Sequence, residues 1–98
     1  MAKLERDFQP KLIEKILDRF KNCLVMKLDA GYIQGIPDLL VLHKNKWAVL
    51  ECKKGAKAKR QPNQEYYVEM LDNMSFSRFV YPENEEQVLN DLTDFFGE

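Results

Sequence analysis

Two neighbouring segments constrain this chain most. Ile36 to Leu42 is almost continuously apolar, and after a turn at Lys44, Asn45 and Lys46 a second apolar segment runs from Trp47 to Lys53. Such runs are too long for strands with one wet face, so they read as the central hairpin of a sheet covered on both sides. A sheet of this kind needs helices, and the flanking sequence supplies them. Phe8, Leu12, Ile13, Ile16, Leu17 and Phe20 follow helical spacing, with Pro10 tolerable in a first turn or at a kink. Pro62 and Asn63 open a second helix carrying Tyr67, Met70, Leu71 and Met74. Asn84 and Gln87 are spaced as a capping box ahead of Val88, Leu89, Leu92, Phe95 and Phe96. Cys23 to Leu28 and Phe76 to Tyr81 complete four strands. The expected order is α-β-β-β-α-β-α, an α/β fold with a mixed four-stranded sheet flanked by helices.

Ninety-eight residues make a single domain, 1–98, able to bury about 65% of its unfolded surface without a cross-link. No apolar run is long enough to span a bilayer and no secretory signal is present, so a cytoplasmic protein is expected. Cys23 and Cys52, with His43 as the remaining soft ligand, cannot build a four-ligand zinc site, and both cysteines read as buried apolar groups. His43 reads as a surface turn residue.

The net charge of −1 hides a segregated distribution. Residues 43–60 carry seven basic groups and one acidic, whereas residues 61–98 carry one basic and nine acidic. The first segment can hold phosphates and the second should turn away from them, although a lysine-rich run is also compatible with a solvated loop.

Within the apolar hairpin three charged residues break the pattern. Asp38 lies near the start of the first strand, and Glu51 and Lys53 end the second. Residues two apart in a strand share a face, so Glu51 and Lys53 point together while Leu50 and Cys52 point away. Burying such groups costs several kcal/mol per ion unless they are paired or bind a metal. Asp38 and Glu51 suit a hard divalent cation, Mg²⁺ or Mn²⁺, and a neighbouring lysine can orient water for attack on phosphorus. An internal salt bridge without metal satisfies the same spacing.

Pro37-Asp38, followed across the hairpin by Glu51-Cys52-Lys53, resembles the signature of the PD-(D/E)xK nuclease superfamily, and Gly35-Ile36-Pro37-Asp38-Leu39-Leu40 is similar to its version in the VRR-NUC family. Gln64, seven residues ahead of Leu71, matches the glutamine that opens the next helix in that family. Cys52 departs from the usual valine, Gln34 from a common basic residue and Gln61 from a common serine. The resemblance covers most of the chain. It implies a restriction-endonuclease-like core and a metal-dependent DNA endonuclease in which Asp38 and Glu51 bind metal, the Cys52 carbonyl adds a ligand, Lys53 serves the water and Gln64 supports the site.

The family's further metal-binding acid comes from the first helix. Glu5 shares the stripe of Phe8, Leu12 and Ile16, whereas Glu14 falls on the solvated side, so Glu5 is the choice provided the helix starts early enough to include it. Lys54, Lys57, Lys59 and Arg60, interleaved with Gly55 and two alanines, form a basic loop suited to phosphate contacts. Trp47 shares the face of Glu51; Tyr67 belongs to the core and Tyr66 is the more exposed of the pair.

Stand-alone members of this size, often phage-encoded, look like homodimeric Holliday-junction resolvases. The expected partners are therefore branched DNA and a second copy, with no small-molecule cofactor and no membrane. Aromatics beyond one core's needs, namely Trp47, Phe76, Phe79, Phe95 and Phe96, are expected at the dimer interface. A flap or nicking nuclease of the same chemistry, and an inert nucleic-acid-binding module, are the competing readings.

Overall fold

The computed structural model describes residues 5–98, with side chains from Asp7 onward. Its elements run α1 (Glu5–Arg19), β1 (Leu24–Lys27), β2 (Leu39–His43), β3 (Lys46–Cys52), α2 (Pro62–Met74), β4 (Phe76–Val80) and α3 (Glu85–Phe96), in the expected order. The strands form one sheet in the order β1-β2-β3-β4. The first three are mutually antiparallel, and β4 pairs parallel with β3 through the α2 crossover, so the sheet is mixed. No described helix is long and apolar enough to cross a membrane.

The two faces of the sheet are covered unequally. On one face Leu39, Val41, Ala48, Leu50, Cys52, Phe76 and Val80 meet Phe8, Leu12, Ile16 and Phe20 of α1 and Val88, Leu89, Leu92 and Phe96 of α3 in a single core. Leu17, expected on the same helix stripe, is exposed. Lys15 bonds Glu85, and Arg19 Nη1 reaches Asn90 Oδ1 at 3.1 Å, which ties the two helices together at their solvent side. On the other face lies α2 alone, against β3 and β4.

That asymmetry corrects several expectations. No residue of α2 is fully buried: Tyr67 is half-buried instead of belonging to the core, and Met74 is exposed, because one helix cannot seal a four-stranded face. Asn84 occupies the N-cap position of α3, but its amide is engaged elsewhere, accepting from Tyr81 N at 2.8 Å and donating to Phe79 O at 2.9 Å. The capping box therefore does not form, and Gln87 bonds Asp91. Cys23 is half-buried while Cys52 is fully buried. Phe76 and Phe96, expected as interface surplus, belong to the core.

His43 is not a surface turn residue. It is 4% exposed, because β2 runs one residue further than its apolar letters indicate and alternation carries His43 onto the core face behind Leu39 and Val41. There its ring meets Phe20 and Phe96 at centroid distances of 5.7 and 5.1 Å, and Nε2 bonds the Glu98 carboxylate. The hairpin turn is correspondingly tight. Only Lys44 and Asn45 lie between the paired residues His43 and Lys46, with Lys44 in a left-handed conformation at φ 58°.

Candidate active site

The candidate cluster forms where β2 enters the sheet and β3 leaves it. Pro37 has no N–H to give to a ladder, so β2 begins at Leu39 and Asp38 sits one residue ahead of the strand instead of within it. Lys53 likewise lies one residue beyond β3, its amide still bonded to Val80 O at 2.8 Å. The register Leu39↔Leu50, continued by one step, puts Asp38 directly opposite Glu51. Two carboxylates from different strands thus share the face that α2 covers, and Cys52 turns its side chain into the opposite core.

Each polar group is held. Asp38 Oδ2 accepts from Cys52 N at 2.8 Å. Glu51, 2% exposed, accepts from Gln64 Nε2 at 3.1 Å and lies 4.0 Å from Lys53 Nζ. Lys53, 7% exposed, donates to Gln64 Oε1 at 2.6 Å and to Lys59 O at 3.2 Å. Gln64 Oε1 also accepts from Gln61 N at 3.0 Å, so one side chain ties the start of α2 to the Glu51 carboxylate and the Lys53 ammonium. Pro62 at the head of that helix has the φ it needs and lacks only an amide that would have no partner there. Burial pushes the Asp38 carboxyl above its ordinary range, opposed in turn by the Cys52 amide, a hydrogen bond shared with Glu51, and the charge of Lys53.

A solved structure described as a "VRR_NUC domain" matches this chain with a TM-score of 0.69 and 23% identity, over 90% of this chain and 97% of the other. The fold is that of a VRR_NUC domain. No protein-family model and no curated protein sequence matches the chain.

Asp38, Glu51, Lys53 and Gln64 therefore lie together at one end of the central strands of a VRR_NUC fold. Helix α1 begins at Glu5, early enough to include it, but the Glu5 side chain lies outside the described residues; Glu14 is exposed. Among the described residues no three His, Cys, Asp or Glu groups converge, so the carboxylate set is the pair Asp38 and Glu51. A buried and a half-buried carboxylate side by side form an all-oxygen donor pair, which fits a hard divalent cation completed by water and phosphate.

The basic loop is open at Lys54, Lys57 and Lys59. Arg60 differs from them, since its guanidinium lies 3.9 Å from the Phe79 ring centroid and closes that side of β4. Sequence reasoning missed the loop between β1 and β2. Leu28 N bonds Asp38 O at 2.8 Å, so this loop leaves and re-enters the sheet at the candidate site itself. Gly35, at φ 91°, packs so closely on α2 that a Cβ there would stand 2.4 Å from Asn63 Cβ. The Asp29-x-Gly31 spacing was the available signal, because the Asp29 carboxylate accepts from Gly31 N at 2.7 Å in an Asx turn.

Proposed function

We propose that this protein is a divalent-metal-dependent endodeoxyribonuclease acting on branched DNA in the cytoplasm, with four-way junctions as the preferred substrate. The observation that carries the reading is the cluster of Asp38, Glu51, Lys53 and Gln64, two acids withdrawn from solvent and a buried ammonium joined by one amide beside an open lysine loop. An inert binding module has no use for paired acids where phosphates approach.

Asp38, Glu51 and the Cys52 carbonyl would hold Mg²⁺ or Mn²⁺, with Glu5 of α1 as the further ligand. A cation held there would supply Lewis-acid stabilisation of charge on the scissile phosphate. Lys53 orients the attacking water and offsets negative charge as the pentavalent arrangement develops. Gln64 keeps that ammonium pointed into the site by accepting from it at 2.6 Å while donating to Glu51. Lys54, Lys57 and Lys59 take neighbouring phosphates, and Arg60 lines the same approach from its seat on Phe79.

We also propose a symmetric homodimer, because resolving a junction needs two cuts related by near-twofold symmetry. Its surface is the uncovered half of the α2 face. Leu24 on β1 and Leu42 on β2 stand in one cross-strand row with Trp47, and Met26 stands in the next row beside Leu40 and Val49. At about 100° per residue, Asp72 of α2 turns toward β4, where it accepts from Ser77 N at 3.0 Å, and Tyr66, Met70 and Met74 turn to the opposite flank. Leu24, Met26, Leu42, Tyr66 and Met74 are exposed, and they flank the uncovered half of the sheet. Of the aromatic residues expected at the interface, Trp47 stands in this row, while Phe76 and Phe96 belong to the core.

Cleavage of labelled four-way junctions, flaps, duplexes and single strands, with Mg²⁺ or Mn²⁺ and with chelator, tests the reading. Metal-dependent paired cuts in junctions support it. Cutting confined to flaps or nicks replaces the substrate, and binding without cutting on any member leaves a binding module.

A further inference from the structure

The loop from Leu28 to Asp38 carries an aromatic ring with no structural task. Tyr32 is 86% exposed, so its ring contributes almost nothing to the core. The loop does not need the ring for its shape. Asp29 caps the Gly31 amide, its carbonyl accepts from Tyr32 N at 3.0 Å and from Ile33 N at 3.3 Å, and Ile36 N closes on Ile33 O at 3.2 Å. At its far end Gly35 is wedged against Asn63, one residue before Gln64, and the bond from Leu28 N to Asp38 O shuts its base. A solvent-exposed tyrosine is thus presented on a tightly bonded turn that is anchored at both ends to the candidate catalytic groups. Behind it lies a cleft of about 380 Å³ lined by Leu28, Asp29, Tyr32, Ile33 and Ile36. Asp29, whose carboxylate is already used by Gly31, is the loop's only charged residue before Asp38, so little repels a nucleobase approaching beside its phosphate.

We propose that Tyr32 is a stacking platform for an unpaired nucleobase next to the scissile phosphate, with the Leu28, Ile33 and Ile36 cleft receiving the edge of the displaced base. This rests on the nuclease reading and deepens it, because an exposed aromatic on a loop whose base is bonded to Asp38 favours DNA in which a base is already unstacked, as at a branch point or flap. Every base has a π-face, so the platform adds preference for structure without preference for sequence.

The test is binding of the full-length protein, with chelator present so that no strand is cut, to DNA carrying 2-aminopurine at an unpaired position and to a fully paired duplex of the same sequence. The unaltered protein should quench the unpaired probe. Tyr32→Ala should bind the unpaired substrate roughly tenfold more weakly and bind duplex as before, while Tyr32→Phe and Tyr32→Trp behave as the unaltered protein. Because the ring is exposed, circular dichroism of Tyr32→Ala should be unchanged. Equal affinities for all four proteins, an equal loss on duplex, or a loss with Tyr32→Phe would overturn the platform. If the unaltered protein binds no DNA, the nuclease reading falls as well, an outcome separate from DNA binding that ignores Tyr32.

Discussion

Gln64 grips Lys53: its amide oxygen accepts from the ammonium at 2.6 Å while its nitrogen, on the same carbon, donates to Glu51 at 3.1 Å. A neutral amide can do this for both signs of charge at once, which neither an acid nor a base could. Replacing it by Ala would leave both buried ions short of a partner. Gln64→Ala should lower cleavage by about 10- to 100-fold, the range typical of residues that orient reacting groups, and cost about 1–3 kcal/mol of stability. Single-turnover cleavage and urea unfolding measure the two effects, and full activity in Gln64→Ala would remove the residue from the mechanism.

Asp38→Asn, Glu51→Gln and Lys53→Ala should each abolish cutting and spare DNA binding. The three meet in one site and act as a unit, so any single loss should be nearly as severe as all three. If Lys53→Ala turns over at near-normal rate with an unchanged metal requirement, water orientation is not the role of Lys53.

In the metal-free protein the contribution of Asp38 to stability should fall as pH rises. Burial raises the Asp38 carboxyl above its unfolded value, so in that window the folded state holds a proton that the unfolded chain has released. The stabilising effect is complete below the unfolded value and disappears as pH passes through the raised folded one. Asp38→Asn should flatten this part of the profile, and added Mg²⁺ should reverse it by favouring the ionised form. Thermal melts between pH values in the acidic range, with and without metal, read the sign; a profile unchanged by Asp38→Asn would contradict it.

Replacing Lys54, Lys57 and Lys59 together should weaken DNA binding and reduce the log-log salt slope by roughly 0.9 for each phosphate that is no longer neutralised. Arg60→Ala should act differently, uncovering Phe79 and destabilising the β4 edge as well as weakening binding. Fluorescence anisotropy over a salt series separates them, and an unaltered slope in the triple variant would mean that this loop faces away from DNA.

Light scattering at micromolar concentration should give a dimer mass, and Met26→Glu combined with Leu42→Glu should give a folded monomer. These residues face outward on a sheet surface that α2 leaves open, so charge there should break the interface without entering the core. A monomer mass for the unaltered protein, alone and with junction DNA, would shift the substrate toward flaps or nicks.

Element order, the central hairpin and the positions of Asp38, Glu51 and Lys53 were legible in the amino-acid sequence, whereas the expectation that helices cover both faces of that hairpin fails at Leu42. The reason is local: apolar runs report burial, alternation assigns faces, and a charge inside such a run must be satisfied or used. Tertiary structure decided what depends on neighbours distant in the chain. His43 is buried because α1 and α3 close over the end of β2, although its letter beside Lys44 reads as surface. The amide of Asn84 abandons its helix for the end of β4. The aromatic residues Phe76 and Phe96 are core, while Leu24, Met26 and Leu42 are left uncovered, since only packing determines which half of a sheet a single helix can protect. Likewise the bond between Gln64 and Lys53 joins residues eleven apart whose spacing specifies nothing until β3 ends and α2 begins at the same place in space.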